Sequence, residues 1–394
     1  MGLCYRLMSD DYIIHETFHQ EIKMRLVKNT DRGKNKIIES APFPSTDVDK
    51  VSSLLKKCPI SSKTPLLELE NFLPQGNLWV KDERERMGLG SFKALGAAYV
   101  IASHAQDLTE NPCSTTLEGK TYVTASAGNH GLSLAAGAKI FGARAIVFIS
   151  ETVPESFSDR LREKGAVPVR EGSDYAASMS AALEAAKENG WILLSDSSWE
   201  NYTDKPLKLM EGYLQMADEA TSQCKNKATH VFLQAGVGGL AGAVAAHIRK
   251  IWGDTPVITV VEPSAAPALQ ASIEVDGSTT VITVVEPSAA PALQASIEVG
   301  KPVLTEGPDS IMGRLDCKEP SFIALNGLAR DADFFLTLND DEVSNNLEIM
   351  SNSNLATTAS GGAGIAAAMN DEVSRLLKMN SDSKTLCFLS EVAE

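Results

Sequence analysis

The chain has 394 residues, 43% of them hydrophobic and 22% charged, with 36 Lys and Arg against 51 Asp and Glu for a net charge of −15. The length suits two domains rather than one, and the composition excludes global disorder. So acidic a chain is a poor partner for nucleic-acid phosphates or an anionic membrane, and no apolar run is long enough to span a bilayer: Ala136–Ile149 is broken by Lys139 and Arg144.

Residues 1–45 are polar and mixed, and read as a weakly ordered N-terminal extension. Met1–His15 holds Asp10 and Asp11 and no apolar signal region, and Arg6 argues against acylation at Gly2, so a cytoplasmic location is expected. From about Thr64 short apolar runs alternate with small-residue helices. Leu78–Val80 reads as a strand, Lys93–Ala105 as a helix, and Thr121–Thr124 as a strand leading into the helix His130–Phe141. Arg144–Ile149 reads as a strand, Pro154–Lys164 as a helix opened by proline, Val167–Val169 as a strand, Asp174–Asn189 as an alanine-rich helix and Trp191–Leu194 as a strand. The second half repeats the pattern with His230–Leu233, a glycine loop, the helix Leu240–Trp252 and the strand Val257–Val261. Such alternation predicts an α/β protein with parallel sheets.

Val257–Val275 and Val281–Val299 are the same nineteen residues, VITVVEPSAAPALQASIEV. Old repeats diverge and solenoids need several copies, so two perfect copies indicate a recent tandem duplication or an error in the gene model. One VITVV strand can fill a slot in the sheet; the other must add a strand or loop out. Six cysteines lie without CxxC spacing and six histidines are dispersed, which predicts reduced thiols and no metal site.

Three motifs carry chemistry. In Gly90-Ser91-Phe92-Lys93-Ala94-Leu95-Gly96 a lysine stands beside an aromatic at a helix start, where partial burial would free its amine for Schiff-base chemistry. Taken alone it is more readily a solvated first-turn lysine. Leu233-Gln234-Ala235-Gly236-Val237-Gly238-Gly239-Leu240 follows a strand and opens a helix, so its free N–H groups suit a phosphate, though tight helix–strand packing explains the glycines equally well. Ser126-Ala127-Gly128-Asn129-His130-Gly131 also joins strand to helix and suits a carboxylate, with His130 otherwise a helix-start residue of no chemical role.

In this order the motifs resemble the pyridoxal-phosphate enzymes of the tryptophan-synthase β-like fold (fold type II), and most closely the diaminopropionate ammonia-lyase family. The resemblance runs from about residue 60 to the C-terminus and includes Trp79-Val80-Lys81-Asp82-Glu83, Asp196-Ser197-Ser198-Trp199-Glu200-Asn201-Tyr202, Val261-Glu262-Pro263 and Ile311-Met312-Gly313-Arg314-Leu315-Asp316-Cys317. It implies pyridoxal 5'-phosphate as cofactor, with Lys93 carrying it and returning as the base for the α-proton. Phe92 would flank the cofactor, Asn129 would bond its ring oxygen, Gly236, Val237, Gly238, Gly239 and Leu240 would cradle its phosphate, and Ser390 would face the pyridine nitrogen. Ser126, Ala127, Gly128 and His130 would hold the substrate, and Asp196 would stand near its amine as a second catalytic residue. It also implies a homodimer with a large domain from 46–95 and 203–394, a small α/β domain from 96–202, and the cofactor in the cleft between them.

Three positions depart from the family. Ala127 replaces the Asp that serves as base for the D-isomer, and gives the motif the form seen in serine/threonine dehydratases. Arg314 stands where a small residue is usual, which would narrow the pocket. The chain ends Ser390-Glu391-Val392-Ala393-Glu394, where the family has Ser/Thr-Glu-Gly and continues. The expected activity is therefore α,β-elimination of ammonia from an L-amino acid resembling 2,3-diaminopropionate, giving pyruvate and ammonia. L-serine/L-threonine dehydration is the alternative, and a non-catalytic ligand-binding homologue the alternative of another class.

Overall fold

The computed structural model describes residues 24–393, except 31, 34–35, 254–259 and 264–280, and gives the backbone alone for 260–263. Its strands are β1 (Met24–Lys28), β2 (Leu66–Leu69), β3 (Asn77–Asp82), β4 (Thr121–Ala125), β5 (Arg144–Ile149), β6 (Val167–Arg170), β7 (Ile192–Leu193), β8 (His230–Gln234), β9 (Val260–Pro263), β10 (Val281–Pro287), β11 (Phe334–Leu338) and β12 (Lys384–Leu389). Its helices are α1 (Val48–Leu55), α2 (Ala97–Leu108), α3 (Asn129–Ile140), α4 (Glu155–Glu163), α5 (Tyr175–Asn189), α6 (Asp204–Gln223), α7 (Gly239–Trp252), α8 (Ala292–Val299), α9 (Phe322–Asp331), α10 (Asp340–Asn352), α11 (Ala359–Met369) and α12 (Asp371–Leu376).

The strands form two sheets, as the alternating texture predicts. The smaller, in the order β6-β5-β4-β7, is parallel throughout. The larger runs β2-β3-β12-β8-β10-β11-β1-β9; its middle from β3 to β11 is parallel, and its outer strands β2, β1 and β9 pair antiparallel. Every residue of β8 and β10 is buried, as suits parallel strands covered on both faces. Helix α7 fills one face with small and aliphatic side chains from Leu240 to Ile248. Local chemistry closes the helix ends: the Asp174 side chain accepts from Ala177 N at the start of α5, and Gly190 ends that helix in the left-handed conformation.

The duplicated segment resolves here. The second copy supplies β10, between β8 and β11, and α8 behind it, and Ala235 N donates to Val285 O at 2.6 Å. From the first copy β9 pairs with β1 at the sheet edge, and the rest lies outside the described residues.

Two expectations need correction. Of the 1–45 extension, residues 1–23 lie outside the described residues, but Met24–Lys28 form a strand on β11, and Ile38 and Ala41 are tied to α9 through Asn326 at 2.9 and 3.0 Å. A short alternating strand among polar residues carries little apolar signal of its own. Lys93 also does not open a long helix: Phe92–Leu95 is a single 3-10 turn, and the chain bends at Gly96 before α2 begins.

Candidate active site

Lys93 sits in that turn, just beyond β3, with Nζ 2.6 Å from Asp196 Oδ2. Asp196 lies on the loop after β7 of the smaller sheet, so the contact joins residues from the two sheets' surroundings. Burial alone would lower the Lys93 pKa, but the Asp196 carboxylate outweighs it and holds the ammonium well above the usual lysine range. Burial would likewise raise Asp196; the Lys93 charge and hydrogen bond hold it well below the usual carboxylate range. Both side chains keep some exposure, 23% and 18%, so they face a cleft rather than a sealed core. Phe92 and Tyr213 form the aromatic wall, their ring centroids 4.9 Å apart and 5.3 and 6.0 Å from Lys93 Nζ.

The glycine loop joins β8 to α7. Gly238 caps the helix with φ at +94°, and a β-carbon there would lie 2.9 Å from Ala324 Cβ, so both its conformation and its surroundings call for glycine. No side chain caps α7, and its first N–H groups, from Gly238, Gly239 and Leu240, stand beyond the helix's own ladder. Gly236 allows the loop 310–318 to lie close by: a β-carbon on it would be 2.9 Å from Cys317 Sγ and 3.0 Å from Arg314 O.

The third motif joins β4 to α3. Ser126 Oγ accepts from Gly128 N at 3.2 Å and Gly131 N at 3.1 Å, which folds the loop back on itself. Ala127 is exposed, and Asn129 opens α3. His130 is buried, with Nε2 2.8 Å from Leu194 O; a carbonyl only accepts, so Nε2 carries the hydrogen. Burial lowers the pKa of its ring and keeps it neutral. His130 thus ties α3 to the loop bearing Asp196. Ser390, 5% exposed, follows β12, and its carbonyl accepts from Phe92 N at 3.0 Å, beside Lys93.

Lys93, Asp196, the glycine loop, the SAGNHG loop and Ser390 therefore surround one cleft at the C-terminal ends of β4, β8 and β12, where open parallel sheets place ligands. The groove lined by Leu66, Glu68, Trp79, Gln223 and Lys225 lies apart from it and holds none of these residues. Sequence reasoning missed Tyr213, an unremarkable residue in the middle of α6, and Thr358 and Ser360 at the start of α11. It also missed what Glu391 does: one carboxylate oxygen accepts from Asn129 Nδ2 at 2.6 Å, the other from Arg314 Nη1 at 2.8 Å and from Thr358 Oγ1. Among the described residues no three His, Cys, Asp or Glu side chains are grouped to hold a metal, and no helix is long and apolar enough to cross a membrane.

These residues fit a phosphorylated aldehyde. A lysine amine, a helix N-terminus with uncapped N–H groups and a glycine that no β-carbon could replace are what such a group requires. Comparison with known proteins agrees. Residues 59–281, more than half of the chain, match the family described as pyridoxal-phosphate dependent enzyme. The diaminopropionate ammonia-lyase of Salmonella typhimurium is 30% identical over 307 residues, which cover 72% of this chain and 70% of that one. The enzyme of the same name from Escherichia coli K12 is 32% identical over 225 residues, covering 53% and 56%. The crystal structure of the Escherichia coli diaminopropionate ammonia lyase in complex with an aminoacrylate–PLP azomethine reaction intermediate superposes with a TM-score of 0.77 at 25% identity, over 94% of each chain.

Proposed function

Since the chain belongs to the pyridoxal-phosphate-dependent enzyme family, and within it to the diaminopropionate ammonia-lyases, we propose that it eliminates ammonia from an L-amino acid resembling 2,3-diaminopropionate. With that substrate and one water the products are pyruvate and two molecules of ammonia. The observation that carries this reading is the 2.6 Å pair of Lys93 and Asp196, set between two loops that each present helix N-terminal N–H groups to an anion. When bound, pyridoxal phosphate supplies the electron sink for the charge left by loss of the α-proton.

The chain's own residues do the rest. Gly236–Leu240 would hold the phosphate and Asn129 the ring oxygen, and Ser390 would serve the pyridine nitrogen. A hydroxyl there leaves that nitrogen largely unprotonated, which suits elimination over transamination. Phe92 and Tyr213 wall the cleft against water. Ala127 offers its backbone N–H to the substrate carboxylate, Ser126 and Gly128 hold the loop around it through their own hydrogen bond, and His130 fixes the loop from below. Lys93 Nζ takes the α-proton, and Asp196 stabilises and orients the ammonium that results. Ala127 has no ionisable group to act as a base on its side of the site, which favours the L-isomer.

The division of labour follows the two sheets: residues 96–202 form the smaller domain, 46–95 and 203–394 the larger, and the site lies between them. The protein works as a homodimer in the cytoplasm; light scattering during size-exclusion chromatography tests the first point.

Pyruvate release from L-2,3-diaminopropionate by the wild type and by Lys93→Ala tests the reading. The wild type should be yellow with lysine-bound cofactor and active, and the variant colourless in that band and inactive with its fold intact. Pyruvate at near wild-type rate from the variant would overturn it. Ala127 also supports a second reading, L-serine or L-threonine dehydration, which wins if either is turned over faster than diaminopropionate. A wild type that gains no visible band with added pyridoxal phosphate is a non-catalytic homologue.

A further inference from the structure

An ion pair at the mouth of the cleft has no part in the scheme above. Arg314 stands on the loop 310–318, which lies on the phosphate loop at Gly236, and its backbone N donates to Ser360 Oγ at 3.1 Å. From there its guanidinium reaches across the site. Nη1 meets Glu391 Oε1 at 2.8 Å, and a β-carbon on Gly128 would lie 3.5 Å from Nε, so the guanidinium faces the open side of Gly128. Glu391 is nearly buried at 4% exposure, and its other oxygen is held by Asn129, the residue after Gly128. A carboxylate is thus already bound between Arg314 and the SAGNHG loop, and it belongs to the protein itself.

The Arg314 side chain keeps 27% exposure, with its Nε on the Gly128 side. A guanidinium offers five N–H donors in a fixed fork and can serve two carboxylates at once. Glu391, tethered by its antiparallel bridge to Ser91 and by Thr358, keeps that fork in place while leaving it beside Gly128.

Resting on the function read above, we propose that Arg314 is a specificity-determining residue that binds the α-carboxylate of the amino-acid substrate, with Glu391 holding its guanidinium in position. Backbone N–H groups of the SAGNHG loop then share the carboxylate with a full positive charge. The site accordingly discriminates between an amino acid and its uncharged amide more sharply than backbone donors alone allow, since hydrogen bonds to charged groups are the stronger ones.

The test compares L-2,3-diaminopropionate with its carboxamide, on full-length protein loaded with pyridoxal phosphate, in the wild type, Arg314→Gln and Arg314→Lys. Two quantities are read: the concentration at which each compound half-shifts the visible band, and KM and kcat for ammonia release. Arg314→Gln should raise the half-shift concentration and KM for the acid by about tenfold, with kcat within about twofold and the amide unaffected. Arg314→Lys should recover part of the loss. Equal shifts for acid and amide would mean that Arg314 acts only through Glu391 and Asn129 on the shape of the site, and would overturn the proposal, as would no shift in either. If Arg314→Gln does not fold, the acid-to-amide ratio of Arg314→Lys decides by the same criterion. A wild type that takes up no pyridoxal phosphate overturns the function reading and this inference with it, whereas a band that forms and titrates alike in wild type and variants overturns the inference alone.

Discussion

Glu219→Gln should destabilise the protein by about 3 kcal/mol, although Glu219 lies outside the candidate site. Its carboxylate, on α6, accepts from Lys81 Nζ at 2.7 Å, Arg86 Nη1 at 3.1 Å and Nη2 at 2.7 Å, Thr64 N at 3.2 Å and Gln215 Nε2 at 3.0 Å. With Glu83 on the other side of Arg86, two cations and two carboxylates lie between β3 and α6, none more than 3% exposed. Burial would raise the Glu219 pKa, but the hydrogen bonds and charge of Arg86, then Lys81, bring it down from 4.5 to about 2. At about 1.4 kcal/mol per pH unit that shift corresponds to roughly 3 kcal/mol. Burial pulls Lys81 below its ordinary value in spite of Glu219, so part of the gain is offset by the cost of keeping that ammonium charged. Removing one carboxylate leaves two buried cations facing Glu83 alone, a change that costs roughly 3–5 kcal/mol in buried pairs.

Thermal and denaturant unfolding of wild type and variant supply the assay. With an unfolding entropy of about 2.1 cal/mol/K per residue over the 394 residues, 3 kcal/mol corresponds to about 4 °C in Tm for cooperative unfolding. The pH dependence is a second check. A carboxyl whose folded pKa is depressed contributes its stability above the unfolded value of 4.5 and loses it as pH falls through about 2. The difference between wild type and variant should therefore be flat at neutral pH and shrink below about 5. A Tm change under about 1 °C, or a difference that grows on acidification, would refute the assignment of this cluster as the clamp between β3 and α6.

Asp196→Asn removes the charge that holds up the Lys93 pKa, leaving burial to pull it down. A lysine whose folded pKa is raised stays ammonium to higher pH, so without Asp196 the uptake of pyridoxal phosphate by Lys93 should begin at lower pH while product formation falls. An onset of the visible band at unchanged or higher pH would contradict the pairing. Deleting residues 257–280 rejoins Pro256 to Val281 and leaves one copy of the repeat, already seated between β8 and β11. The deletion removes β9 from the sheet edge and leaves β8, β10 and β11 paired as they are. The shortened chain should fold cooperatively with Tm close to that of the full chain; an unfolded product would show that the first copy does more than extend the edge.

Much of this protein follows from local sequence, because the features involved are short-range. The alternation of buried strands with small-residue helices specifies parallel sheets, and the glycine loop and SAGNHG each sit between a strand and a helix N-terminus, so their N–H groups are freed by the chain's own geometry. Lys93, Asn129 and Ser390 were legible only through the family resemblance, since nothing within a few residues of them marks burial or a partner. What the tertiary structure alone decided are the long-range pairings. Lys93 meets Asp196 across 103 residues, and Arg314 meets Glu391 across 77. Identical copies of VITVV cannot be ranked by their own composition; the slot between β8 and β11 went to the second copy, and β1, drawn from the polar N-terminal stretch, was left to pair with the first. Electrostatic partners and sheet neighbours act through space, and only the folded chain brings them within range.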